Sequence, residues 1–294
     1  MKPEDWCFAS GAAVGREAAF LPHRTIDEMA SLAPQEVSNR LARSWFGPAE
    51  PLGQFDRLAR ERREKELDYF EKVSPDGMLV NLLRLGWAAD RLRAGLGEVA
   101  DVSTPEQLAE TLRELASRAG RFRDDFVAEF HPPLPDPAPS ARLASALLID
   151  SAELAIGSRL AAADASLQAW AQARTRAFAA KVGLRAVRQN APKELLRGFF
   201  FRGALLTDEA KDFLQDYREP AALKLYPPGC AAGQEEGFLL SVSEASKGQA
   251  FSAGVVLRYL LGFLDQERRL RRAVYASLGK IPAGGEAPLE RQAL

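Results

Sequence analysis

The chain has 294 residues, of which 47% are hydrophobic and 27% are charged, and its formal net charge is −1 at pH 7. This composition excludes an intrinsically disordered chain, which would be poorer in apolar residues. The near-zero net charge argues against nucleic acid as a main partner, because phosphate neutralisation needs a strong basic excess. Alanine and leucine greatly outnumber the β-branched residues, so the composition predicts an all-α fold.

The N-terminal part of the chain is predicted to begin with short helices. The first 46 residues contain three of them, separated by breaks at Pro22 and Pro34. A helix with an almost wholly charged middle follows at about residues 54–73, and its pattern is typical of an exposed helix. Residues 79–96 are apolar on more than one face, which indicates an inner helix.

The clearest helix start lies at Thr104. Thr104 can cap a helix, Pro105 suits the first helical position, and Gln107 has the spacing of a capping box. Beyond this start, apolar residues recur at alternating steps of four and three, which predicts a short heptad seam inside a helical bundle. The seam comprises Leu108, Leu112, Leu115, Ala119, Phe122 and Phe126.

A proline-rich stretch at residues 131–139 is the best internal boundary, because proline removes backbone donors and disfavours helix. It divides the chain into an N-terminal helical region (1–136) and a C-terminal helical region (137–281). The last residues, 282–294, are predicted to be a disordered tail.

The C-terminal region begins with an alanine-rich stretch at residues 140–190 that lacks proline. As one unbroken helix it would be about 75 Å long at about 1.5 Å per residue, far longer than a compact domain. The sequence therefore predicts either an elongated body or a bend near Gly157 or Gly183.

The closing helix is apolar on one face and basic on the other. Its most apolar stretch, from Ala250 to Leu264, is too short to span a bilayer. The basic side can complement the helix dipole, contact an anionic lipid or nucleic acid, or dock a protein partner, since arginine clamps carboxylates well. This side carries Arg258, Arg268, Arg269, Arg271, Arg272 and Lys280.

Sequence motifs for catalysis are missing from the whole chain. The two histidines and two cysteines have no metal-ligand spacing, and neither glycine-rich phosphate-binding loop occurs. We therefore expect no catalytic residue, cofactor or metal. One enzymatic alternative remains, in which Asp124, Asp125 and Glu129 bind Mg²⁺ in an all-α enzyme acting on diphosphates. The simpler interpretation of these three acids is a solvated helical face.

Several segments resemble one protein family along nearly the whole chain. It is similar to the C subunit of V-type and A-type ATP synthases, whose eukaryotic relative is the d subunit of the V-ATPase. The matching segments are Phe8-Ala9-Ser10-Gly11 with Arg16-Glu17 and Leu21, Ser44-Trp45-Phe46-Gly47, Val80-Asn81-Leu82-Leu83-Arg84, Gly203-Ala204-Leu205-Leu206-Thr207, and Phe251-Ser252 through Val255, Tyr259-Leu260-Leu261 and Glu267 to Leu270-Arg271.

The resemblance implies a non-catalytic protein built as an elongated funnel of three related helical bundles. Such a protein sits on the membrane proteolipid ring at the cytoplasmic face, receives the central stalk, and transmits torque for proton or sodium transport. It reaches the membrane only through its partners. The residues expected to contact those partners are Arg84, Arg91, Arg268, Arg269, Arg271 and Arg272.

Overall fold

A computed structural model describes residues 3–49, 51–99, 102–130, 134, 140–162, 164–202, 207–244 and 251–281. Within these ranges the chain forms fourteen α-helices and four short 3-10 helices, with no strand, which confirms the all-α prediction. The threefold repeat of bundles and the funnel shape stay predictions. The helices are α1 (Cys7–Glu17), α2 (His23–Met29), α3 (Pro34–Ala42), α4 (Phe55–Val73), α5 (Met78–Ala94), α6 (Pro105–Leu115), α7 (Arg123–Glu129), α8 (Ala141–Ala161), α9 (Ala165–Arg188), α10 (Lys193–Arg202), α11 (Asp208–Gln215), α12 (Glu219–Leu223), α13 (Glu235–Glu244) and α14 (Ala253–Ser277).

The chain folds into two compact units, and the first contains residues from both ends of the sequence. Unit 1 comprises Met1–Val80 and Ser243–Ala293, and unit 2 comprises Asn81–Val242. This grouping differs from the division expected at 136/137, because α14 returns to pack on α1, α2, α3 and α4. The expected boundary at residues 131–139 lies mostly outside the described residues, and so does the expected tail at 282–294.

The core of unit 1 forms where the N-terminal helices meet α14. Apolar residues recur at steps of three or four in α2, α3 and α14, so that one side of each helix faces the others. Helix α14 supplies Leu270 and Val274, and both are fully buried or nearly so. The partners on α2 and α3 are Ile26, Met29, Val37 and Leu41.

Helix α8 is the centre of unit 2. It packs against α6, α7, α9, α10 and the 3-10 helix at Gly95–Val99. Alanine, leucine and isoleucine occur around its whole circumference, and a helix that is apolar on every side is stable only when neighbours surround it. Two of its buried residues, Asp150 and Glu153, are nevertheless acids.

The predicted helix start at Thr104 is confirmed. The Oγ1 atom of Thr104 accepts a hydrogen bond of 3.3 Å from the backbone N–H of Gln107. The side chain of Gln107 turns back, and its Oε1 accepts a bond of 3.1 Å from the N–H of Ser103. Two backbone donors at the helix start are thus satisfied, as in a capping box displaced by one residue.

The heptad seam is buried as predicted, but its helix is interrupted. Helix α6 ends at Leu115, a 3-10 segment covers Ala116–Phe122, and α7 follows. Gly120 breaks the continuity because its φ is +60° and its ψ is −121°, a conformation open mainly to glycine. The six seam residues each remain less than 5% exposed.

The alanine-rich region breaks at a place that the sequence did not indicate. Helix α8 ends at Ala161 and α9 begins at Ala165, where Asp164 Oδ1 accepts a bond of 3.4 Å from the N–H of Leu167. The bend that was one alternative near Gly157 or Gly183 occurs at neither glycine. Both lie inside continuous helices, and at Gly183 the missing side chain allows Leu225 to approach closely.

Candidate functional site

The two predicted contact arginines on α5 lie in unit 2 and differ in exposure. Arg84 is 9% exposed, whereas Arg91 is exposed to solvent. The Nε of Arg91 donates a hydrogen bond of 2.8 Å to the backbone carbonyl of Arg118 in the 3-10 segment. Arg91 therefore binds the backbone of the 3-10 segment between α6 and α7 and links that segment to α5.

The four predicted arginines on α14 lie in unit 1, and two of them have acidic partners there. The Nε of Arg269 lies 2.8 Å from Oδ2 of Asp265, one helical turn away. Arg271 is buried, with its Nε 2.9 Å from Asp56 Oδ1 and its Nη2 2.9 Å from Glu267 Oε1. Arg271 is therefore an internal structural residue, because a partner would have to displace two carboxylates to bind it.

The other two predicted contact arginines, Arg268 and Arg272, are four residues apart and share one side of α14. Burial and the neighbouring charges of Arg272, Arg269 and Arg271 lower the pKa of Arg268 to about 10. Arg272 is exposed. This end of α14 is thus a concentration of positive charge, and Arg272 is its most accessible member.

A buried glutamate holds α4 against α14 in unit 1. The Oε1 of Glu267 lies 3.1 Å from Nη1 of Arg63 and 2.9 Å from Nη2 of Arg271. Arg63 is only 7% exposed, although its neighbours in sequence suggested an exposed helix. The burial of Arg63 could have been predicted from its position in the helix. Arg63 follows Ala59 and precedes Leu67 at steps of four, so it lies on the apolar side of α4.

A buried glutamine also fixes the loop after α1. The Nε2 of Gln266 donates a hydrogen bond of 2.7 Å to the carbonyl of Leu21, and its Oε1 accepts one of 3.1 Å from the N–H of the same residue. The Nε1 of Trp45 donates a third bond of 3.2 Å to that Oε1. Gln266, at 3% exposure, therefore joins α14 to two segments from the N-terminal part of the chain.

In unit 2, two buried acids of α8 pair with three arginines from α5 and α9. Asp150 and Glu153 of α8 are 0% and 2% exposed. The Nη2 of Arg93 lies 2.7 Å from Asp150 and 2.5 Å from Glu153, which connects α5 to both acids. Arg174 and Arg185 of α9 bind Glu153 and Asp150 respectively, the second pair at 2.7 Å. We call these five residues the α8 ion cluster.

The electrostatics of the α8 ion cluster favour the charged form of every member with a shifted pKa. Burial by itself lowers the pKa of Arg93, but Glu153, Asp150 and Asp90 outweigh burial and raise it. Burial raises the pKa of Glu153, yet Arg174 and Arg93 lower it below its ordinary value. Glu153, committed to two arginines in this way, is a poor proton donor, and the cluster joins α5, α8 and α9.

Sequence reasoning missed the α8 ion cluster, although a signal was present. Asp150 and Glu153 interrupt a helix that has no polar side on which they could be solvated. Acids in such a helix must be paired with cations, because an isolated buried carboxylate is very costly. The partners could not be named from the sequence, since they lie on other helices and the sequence does not show which faces pack on α8.

The acids of the enzymatic alternative lie on α7 and do not converge on a cavity. Asp124 and Asp125 are exposed, and Oε1 of Glu129 is 2.5 Å from Nη1 of Arg159. Among the residues that the structure describes, no group of three or more His, Cys, Asp or Glu side chains is placed to hold a metal ion. Asp124 and Asp125 thus lie on an exposed side of α7, whereas Glu129 is half-buried and paired with Arg159.

A small cavity between α8 and α10 is almost wholly apolar. It offers about 10 Å³, which is near the lower limit for one water molecule. A substrate would not fit without rearrangement of the two helices. The lining residues are Ala144, Leu147, Leu148, Ser151, Leu195, Gly198 and Phe199.

Comparison with known proteins leaves the local motifs as the basis for a functional proposal. Neither a protein-family model nor a curated protein matches the sequence. Over the described ranges, no helix combines the length and the apolar character needed to cross a bilayer.

Proposed function

We propose that the chain is a non-catalytic rotor adaptor of a V/A-type rotary ATPase, linking the central stalk to the membrane proteolipid ring. The observation that carries the proposal is that the N-terminal segment of the resemblance packs against the closing helix in unit 1. Glu17 Oε2 lies 2.5 Å from Nη2 of Arg258, at the start of the closing helix. Leu21 is bound through its backbone to Gln266, beside the matching residue Glu267.

Contacts of the matching residues Tyr259 and Arg16 add to this support. The rings of Phe20 and Tyr259 stack with centroids 5.4 Å apart, and the hydroxyl of Tyr259 donates a bond of 2.6 Å to Glu66, which also binds Arg16 at 2.8 Å. These contacts join segments that are more than 200 residues apart in sequence. Such packing is expected if the matching segments belong to one common fold, and it is not expected of matches that arose by chance.

A rotor adaptor has to transmit torque, so its helices must resist sliding. The buried charges suit that task in each unit separately. Sliding of α4 along α14, or of α5 and α9 along α8, would leave a carboxylate or guanidinium buried without its partner, which costs several kcal/mol. In this proposal the residue roles are spread over packed surfaces, and no cofactor or catalytic residue is needed.

In this proposal the chain lies at the cytoplasmic face of the membrane, where protein partners hold it. Of the six arginines expected at the interface, Arg272 is the best candidate for a direct contact, because it is exposed on α14. Arginine is enriched in protein interfaces and binds carboxylates through a planar fork.

Co-purification tests the proposal. A tagged chain is produced in its own cells, membranes are extracted with a mild detergent, and the bound proteins are identified by mass spectrometry. We expect the proteolipid and the central-stalk subunits to be recovered with it. Recovery of the chain without either, from an extract in which the ATPase itself remains assembled, would overturn the proposal.

Two charge-reversal variants show whether α14 makes the contact. Arg272→Glu should lower the recovery of partners several-fold, while Arg113→Glu, at an exposed position of α6, serves as the matched control and should not.

Titration of the chain with Mg²⁺ in a calorimeter addresses the enzymatic alternative. A binding isotherm that disappears in Asp124→Asn would favour that alternative over the adaptor.

A further inference from the structure

No further inference is drawn: the strongest candidate, the outward face of α1 with Phe8, Gly11, Val14 and Gly15, is exposed and apolar, but nothing in the structure shows what covers it.

Discussion

The substitution Glu153→Gln tests the energetic role of the α8 ion cluster. It keeps the size of a side chain that is 2% exposed but removes its charge, so Arg93 and Arg174 each lose an ionic partner. One pair of unit charges about 4 Å apart contributes about 4 kcal/mol at an effective dielectric constant of about 20. Desolvation offsets part of this attraction, and removal of one partner from a buried pair costs about 3–5 kcal/mol. We expect the free energy of unfolding to fall by that amount.

A matched control comes from an exposed ion pair in the same unit. Glu219 lies 2.5 Å from Arg188, and the two side chains are 45% and 59% exposed. Exposed pairs contribute about 0–1 kcal/mol, because water already solvates both charges. Glu219→Gln should therefore leave stability almost unchanged, although it removes the same charge from the same residue type.

Urea unfolding followed by circular dichroism measures both variants. The unfolding transition of each variant is compared with that of the wild-type protein, with one common dependence of the unfolding free energy on urea concentration. Two transitions are fitted if the two units unfold separately. If Glu153→Gln and Glu219→Gln differ by less than about 1 kcal/mol, the argument that burial makes the cluster important is refuted.

The pH dependence of unfolding gives the same prediction a second readout. The two arginines hold the pKa of Glu153 below its ordinary value of 4.5 despite burial. A carboxyl whose pKa is lower in the folded state contributes stability above its unfolded pKa and loses it as the pH falls through the folded pKa. The stability difference between wild type and Glu153→Gln should thus be full near neutral pH and shrink below pH 4.5. A difference that stays constant into acid would show that the charge is not its source.

Four further variants can be measured in the same urea assay. Gln266→Leu removes the partner of three half-buried polar groups on Leu21 and Trp45 and should cost about 2–3 kcal/mol; a neutral result would mean that water replaces the amide. Gly120→Ala, at φ +60°, should cost about 1–3 kcal/mol because the residue would be strained, and an unchanged midpoint would argue against that backbone conformation. Gly198→Ala should add about 0.5–1 kcal/mol, since open space surrounds the added methyl group. Gly183→Ala should instead cost about 1 kcal/mol by crowding Phe213, 3.2 Å from the added Cβ. Equal effects of the last two changes would refute the packing argument.

The helices themselves were largely predictable because their signals are local. The scarcity of β-branched residues indicated an all-α protein, and the structure confirms it. Thr104 and Pro34 mark helix starts in the sequence, and α6 and α3 begin at those places. A capping side chain or a proline acts within one turn of its own position, so neighbours along the chain are enough to predict its effect.

The position of breaks could not be obtained in the same way. A bend near Gly157 or Gly183 was one of two alternatives for the alanine-rich region, but both glycines lie inside continuous helices. A Cβ at Gly183 would lie 3.1 Å from Leu225, and one at Gly157 would lie 3.5 Å from Leu85. Glycine can either break a helix or let a neighbour approach, and only the neighbour decides between the two.

The sequence by itself therefore determined the class of fold, the starts of several helices and the polarity of most helix faces. Only the tertiary structure decided which charges are internal. Arg63 sits in a charged run yet is buried on Glu267, and Arg271 was expected to face a partner yet binds Asp56 inside unit 1. The physical reason is that helix formation depends on residues within one turn, whereas burial and pairing of a charge depend on helices that are more than 200 residues away in sequence and are brought together only by folding.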